Sequence, residues 1–307
     1  MINIFNLNQM KLNPTQITID ISGLCNAKCP FCLRQMTDNV PKELMDKGTF
    51  YNIIEQVKKI KSIKTVSLSA YGEAMMHPDF DEFIDYLHKE KYKILIITNM
   101  SLANQHFEAL LKTHFIIMSI EGYDKETYET FRRGLSFEKV YYNMVHFDKI
   151  VHQERLNHRH TPSRMANCLL NAKTNIEKYK QTWQDLTDVI KLNNMVNPIS
   201  WNSDEKRFCN MINSDLSGII ACNVLSENKT ICSEPFKTIV IHPNGRLALC
   251  CNDANCSLDF GDYKNIKKSF YHNKNLNRIR KELLQNKVVI CKNCKNNIII
   301  NNNEENR

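Results

Sequence analysis

Residues 25–32 read CNAKCPFC, which sets Cys25, Cys29 and Cys32 within eight residues. Three thiolates this close cannot complete a tetrahedral zinc site without a fourth ligand. They can hold three irons of a 4Fe–4S cluster and leave the fourth iron open to bind something else. Two blander readings stand beside this one: a zinc knuckle with His77 as fourth ligand, or thiols that share a loop by coincidence. A second set lies far along the chain. Cys232 precedes PFKTIVIHPNG, Cys250 follows Gly245 by five residues, and Cys291 and Cys294 form a Cys-x2-Cys pair. Four converging thiolates suit tetrahedral zinc or a fully ligated 4Fe–4S cluster, and spacing alone favours zinc.

The elements that must position these cysteines follow from the hydrophobic pattern. QITIDI (16–21) reads as a strand, and TFYNIIEQVKKIK (49–61) as a helix with apolar residues at 50, 53, 54 and 57 on one face. The alternation continues with strand 64–70, helix 79–90, strand 92–98, helix 102–112 and strand 115–120. Helical pattern then covers 125–153, followed by strand 166–172, helix 176–192 and strand 198–203. Strands and helices alternating at this spacing predict parallel strands with right-handed crossovers. The expected fold is α/β, a partial (β/α)6 barrel with its site on the loops after the strands. The first cysteine loop directly follows the first strand, so it opens on that face.

The rhythm changes after about residue 203. Residues 204–231 are irregular, TIVIHPNGRLALCC reads as a hairpin around Pro243-Asn244-Gly245, and a basic helix is expected over 275–285. The expected division is a barrel over 1–203 and a small α+β domain over 204–307, with a frayed tail over 296–307.

The chain has 307 residues and 12 cysteines. It opens without the apolar segment of a signal peptide, and no run approaches the roughly 18 apolar residues of a membrane span. A cytoplasmic protein with reduced, ligand-forming thiols is therefore expected. The formal charge of +8 admits nucleic acid, an anionic substrate or a lysine-rich surface. No helix-turn-helix, zinc-finger spacing or aromatic–basic stripe accompanies it, so nucleic acid is not expected.

Cys-x3-Cys-x2-Cys with Phe31 before the last cysteine resembles the signature of the radical S-adenosylmethionine (AdoMet) superfamily. The resemblance covers most of the chain. YGEAMMHP (71–78) falls where the family carries its Gly-Gly-Glu element, which implies that Gly72 and Glu73 bind the methionine amino group, with Tyr71 in place of the first glycine. IITNMS (96–101) is similar to the family's Thr-Asn-Gly, placing Asn99 at the cofactor and Met100 where glycine is usual. MSIEG (118–122) is similar to the segment that reaches the ribose, through Ser119 and Glu121. The resemblance implies that the open iron chelates AdoMet. Reductive cleavage then yields a 5′-deoxyadenosyl radical that abstracts a hydrogen atom.

The segment from Cys232 through CKNC is similar to the family's SPASM extension, or to its shortened form, Twitch. This implies an auxiliary 4Fe–4S cluster on Cys232, Cys250, Cys291 and Cys294. Only the Asn-rich tail follows Cys294, so one auxiliary cluster is expected. A closed cluster can accept an electron, and the pattern is similar to that of family members that oxidise a secondary alcohol. The reading is thus an oxidoreductase acting on a sugar- or cyclitol-type small molecule, an anionic one being admitted by the net charge, served by a flavodoxin- or ferredoxin-type electron donor. A radical epimerase or isomerase, a peptide- or protein-modifying maturase and a non-enzymatic zinc-binding module are the alternatives. Cys209, Cys222 and Cys256 are candidates for a hydrogen donor, and Arg164 for a base. Cys251 is read as packing, and the basic helix as a solvated face.

Overall fold

A computed structural model describes residues 12–36, 40–170, 174–194, 232–251, 253, 256 and 259–285. Eight strands form one sheet: β1 (Gln16–Ile19), β2 (Thr65–Ser67), β3 (Lys93–Thr98), β4 (Phe115–Ser119), β5 (Ser163–Leu170), β6 (Val189–Asn194), β7 (Thr238–Ile241) and β8 (Leu247–Ala248). Their order is β6-β5-β4-β3-β2-β1-β7-β8. Every neighbouring pair is parallel except β7 with β8. The partial parallel barrel is as expected. Because β1 to β7 run the same way, the segments that follow them gather at one edge of the sheet.

The helices are α1 (Leu33–Met36), α2 (Lys47–Val57), α3 (Phe80–Lys89), α4 (Phe107–Leu111), α5 (Lys125–Phe131), α6 (Phe137–Leu156), α7 (Ile176–Trp183), α8 (Glu234–Lys237), α9 (Ile266–His272) and α10 (Lys274–Leu284). Helix α2 begins where the Asp46 side chain accepts from Thr49 N at 2.9 Å, and it buries Phe50, Ile53, Ile54 and Val57. Phe50 stacks on Phe83 of α3 with ring centroids 3.9 Å apart. The helical stretch after β4 is two helices. Asp124 and Thr127 form a capping box on α5, and Gly134 at φ +86° turns the chain before Ser136 caps α6.

The sixth unit corrects the sequence reading. Instead of a helix over the whole of 176–192, α7 stops at Trp183 and β6 spans Val189–Asn194. Asp188 sets the change. Its carboxylate accepts from Arg164 N at 2.8 Å and from Arg155 Nη2 at 2.9 Å, which pins the chain beside β5. Tertiary pairing there overrides the helical pattern. Residues 198–203, the boundary near 203 and the tail over 296–307 lie outside the described residues.

The hairpin forms as expected, and it joins the barrel sheet. β7 pairs with β1 from Gln16↔Thr238 to Ile19↔Ile241, and the ladder continues through Asp20 N to Ile241 O at 2.9 Å. Gly245 takes φ +79° in the turn, where an added Cβ would meet the Tyr263 ring at 2.4 Å. The basic helix corresponds to α10, and it is not wholly solvated. Arg280 is 0% exposed, donates to Pro235 O at 2.9 Å and Phe270 O at 2.6 Å, and lies 4.4 Å from the Phe270 ring centre. Its apolar neighbours fall on the buried face of the helix, so the guanidinium goes in with them and binds carbonyls.

Candidate functional site

The loop after β1 carries Cys25, Cys29 and Cys32. Cys29 is buried and the other two are half-buried. Burial pushes all three thiols up, Cys29 to about 12, and the neighbouring thiols add to the rise in Cys29. Such groups lose their protons when a cationic metal centre replaces them. Arg132 supplies positive charge nearby: its Nη1 donates to Cys29 Sγ at 3.5 Å, and the guanidinium lies 5.5 Å from the Phe31 ring centre.

The loop after β2 approaches this one through backbone. Glu73 N donates to Leu24 O at 2.8 Å. A Cβ on Gly72 would lie 1.7 Å from Ser22 O and 2.5 Å from Leu24 O, so only glycine fits. Glu73 is 2% exposed. Its carboxylate accepts from Thr98 Oγ1 and Asn99 N, both at 2.9 Å, and from Met75 N at 3.4 Å. Burial raises its pKa, and those hydrogen bonds oppose the rise. Asn99 Nδ2 reaches back to Asn26 Oδ1 at 3.0 Å, while Asn26 Nδ2 donates to Ser101 Oγ at 2.8 Å. Glu73, Thr98, Asn99, Ser101 and Asn26 therefore lock together the loops that follow β1, β2 and β3. Met100 takes φ +62°. That is the left-handed conformation that favours glycine, the residue the resemblance implied at this position.

Glu121 follows β4, is buried, and forms an ion pair with Arg132 Nε. Its Oε1 has no hydrogen-bond partner. Ser119 ends β4 half-buried and takes no part in the network described above. Asn26, Thr98, Ser101 and Arg132 were missed in the sequence. The Asn beside the first cysteine and the TFRRG segment were visible, but nothing local tied them to the site.

The structure places the remaining candidates as follows. His77 is no fourth metal ligand, since Nε2 lies 2.8 Å from Met45 O and Nδ1 accepts from Asp79 N at 3.0 Å. Arg164 sits at the start of β5, away from the edge where the site loops gather, and binds Asp148 at 2.8 Å and Asp188. Cys256 is buried against Val240 and Ala248, as a small apolar side chain would be. Cys251 is exposed rather than packed, because β8 ends at Ala248 and strand alternation no longer applies. Cys209, Cys222, Cys291 and Cys294 lie outside the described residues.

Cys232 and Cys250, both half-buried, flank the hairpin. After β8 the chain curls back. Asp253 N donates to Cys250 O at 3.0 Å, Leu249 N donates to Asp253 Oδ2 at 2.9 Å, and Asp253 O meets His242 Nε2 at 2.9 Å. The curl brings Cys250 and Cys251 near Tyr71, whose phenol is raised by burial first and then by those thiols.

Residues 19–180 match the model of the radical SAM superfamily. This chain belongs to the radical SAM superfamily. Residues 232–295 match an iron–sulfur cluster-binding domain of SPASM type. Over 129 residues the chain is 29% identical to the antilisterial bacteriocin subtilosin biosynthesis protein AlbA of Bacillus subtilis (strain 168), a match covering 39% of this chain and 27% of AlbA. The chain thus aligns with little more than a quarter of that curated relative. Its fold is similar to BtrN in complex with AdoMet and 2-DOIA, with TM-score 0.58 and 16% identity over 92% of this chain and 93% of BtrN. It is also similar to Streptococcus suis SuiB bound to precursor peptide SuiA, with TM-score 0.64 and 15% identity over 89% of this chain and 69% of SuiB.

A radical SAM enzyme with this extension uses AdoMet, a 4Fe–4S cluster with an open iron, and an auxiliary cluster. Among the described residues, those around the first cysteine loop fit the open cluster and AdoMet. The three loop thiols offer one ligand per iron for three irons, beside a guanidinium that offsets thiolate charge. The orphaned Oε1 of Glu121 leaves an acceptor for a ligand hydroxyl or amine. Among the described residues, no three His, Cys, Asp or Glu side chains converge on a single-ion site. Among them, too, no helix is long and apolar enough to cross a membrane.

Proposed function

We propose that the chain is a radical SAM dehydrogenase that oxidises a secondary alcohol of a sugar- or cyclitol-type small molecule. On this reading Cys25, Cys29 and Cys32 hold the open cluster, and Cys232, Cys250, Cys291 and Cys294 hold the closed one. When bound, the open cluster and AdoMet supply the 5′-deoxyadenosyl radical that takes a hydrogen atom from the carbinol carbon. The protein's part is positioning. Glu73 and Asn99 fix the loops around the cofactor, and Arg132 holds Cys29 and Glu121 in register. Glu121 Oε1 and Ser119 are available to the ribose.

The observation that carries the reading is the parallel pairing of β7 with β1. It joins the hairpin before Cys250 to the strand that leads into the Cys25 loop, which supports an electron acceptor held on the same sheet as the open cluster. The matched length of BtrN supports it as well. A flavodoxin- or ferredoxin-type donor and a cytoplasmic setting belong to the same proposal. The likeness to AlbA and SuiB favours a second reading, modification of a peptide.

The test is anaerobic turnover of reconstituted protein with a panel of polyols and their phosphates. The expected product has lost two hydrogens, with one 5′-deoxyadenosine formed per turnover. A product of unchanged mass in H₂O that gains one deuterium in D₂O identifies an epimerase instead. Zinc-loaded, colourless protein without iron ends the radical reading.

A further inference from the structure

Asp20 Oδ2, His242 Nδ1 and the Tyr71 hydroxyl are buried and have no hydrogen-bond partner. They belong to segments that follow three adjacent strands: Asp20 comes after β1, Tyr71 after β2 and His242 after β7. Asp20 Oδ2 and His242 Nδ1 are 4.0 Å apart, and the Tyr71 ring stacks over the His242 ring at 5.4 Å. Asp20 is 1% exposed and His242 0%. Each unsatisfied buried polar atom costs about 1–3 kcal/mol, so three together call for a reason. The hydrogen-abstraction step gives them no task.

The surroundings are defined on every side. Asp20 faces the backbone N–H groups of Tyr71, Gly72 and Ala70 and the charge of Arg34. His242 faces Asp253 and Arg246. Tyr71 feels Cys251, Cys250, Asp253 and Asp20. Burial pushes the Asp20 carboxyl up to about 7 and the His242 imidazole below its ordinary range, while the Tyr71 phenol stays neutral. The pair therefore gains or loses a proton near neutrality. Negative charge added nearby raises its proton affinity.

We propose that Asp20 and His242 form an internal proton site that takes up one proton when the auxiliary cluster gains one electron. This rests on the assignment of Cys250 as a ligand of that cluster. In the alcohol oxidation the balance closes. The carbon radical left by hydrogen abstraction becomes a ketone by losing one electron, which passes to the cluster, and its hydroxyl proton, which passes to the pair. Without substrate, dithionite supplies the electron and the buffer the proton.

The experiment is an EPR-monitored redox titration of the full-length, reconstituted protein between about pH 6 and pH 9. AdoMet is added because it alters only the signal of the cluster with the open iron. The closed cluster's midpoint potential is expected to be level below about pH 7, where Asp20 is already protonated. Above that it falls by about 59 mV per pH unit, the one-electron equivalent of tenfold in proton activity. Asp20→Asn and His242→Gln should each flatten the slope. His242→Gln keeps a donor for the Asp253 carbonyl and serves as the test if Asp20→Asn fails to fold. A loaded closed cluster whose potential ignores pH in the wild-type protein, or a slope that survives both variants, overturns the proposal alone. Protein that loads no second cluster overturns the ligand assignment with it.

Discussion

Gly72→Ala tests how the site is built. The added Cβ would lie 1.7 Å from Ser22 O and 2.5 Å from Leu24 O, and real Cβ atoms keep at least 3.0 Å away. Both obstacles are backbone, so no side chain can rotate aside. The Ser22–Leu24 segment must move by more than an ångström, and it leads directly into Cys25. Overpacking of this kind costs about 1–3 kcal/mol, and obstruction by backbone puts the substitution at the upper end. For a chain of 307 residues about 2–3 kcal/mol lowers Tm by roughly 3–5 °C. Calorimetry of the anaerobically reconstituted protein measures the shift, and iron analysis with the EPR signal of the open cluster measures the loop. The expected result is a lower Tm with iron lost from that cluster first. Gly48→Ala is the control, since its Cβ would meet only the Asp46 carboxylate at 3.1 Å. A Gly72→Ala protein with wild-type Tm and full iron would refute the argument.

Three further outcomes are expected. Arg132→Met strands the buried Glu121 carboxylate and should cost about 3–5 kcal/mol in denaturant unfolding, with Arg132→Lys recovering part of the loss; a cost near zero would contradict the ion pair. Met100 is buried at φ +62°, so Met100→Gly should be more stable than Met100→Ala by about 1 kcal/mol, the reverse of the usual order. Equal stabilities would argue against the left-handed backbone. Asp20 has a folded-state pKa of about 7 against an ordinary 3.8, so its contribution is fully present below the ordinary value and is lost as pH rises through about 7. The Tm of Asp20→Asn relative to wild type should therefore climb between about pH 4 and pH 7 and level off above, by the equivalent of roughly 4 kcal/mol in total. A constant difference would show that Asp20 is not buried as described.

The cysteine loop, the first five strands and the hairpin were legible because each is a local signal: close thiols, apolar alternation, and Pro-Asn-Gly between two strands. Met100 could even be read as standing in for glycine, and the structure gives it glycine's backbone conformation. What could not be read depends on contacts between distant segments. The start of β6 is set by Asp188 meeting Arg155 and Arg164, whereas the local pattern continued as helix. Arg132 lies about a hundred residues from Cys29 in sequence, and only the fold brings them together. Glu73 was expected at the cofactor amine, but its carboxylate is engaged by Thr98, Asn99 and Met75, which makes it a brace between loops as well. Cys251 and Arg280 show the same limit: a strand ending early exposes the one, and a helix face chosen by its apolar neighbours buries the other.

The central claim is that the closed cluster takes an electron from the substrate. Cys250→Ala with the open cluster intact tests it most directly, using an alcohol that drives 5′-deoxyadenosine formation above its unstimulated rate. The account predicts that 5′-deoxyadenosine continues to form while the ketone product falls to background. Ketone formed at the wild-type rate in Cys250→Ala would contradict it.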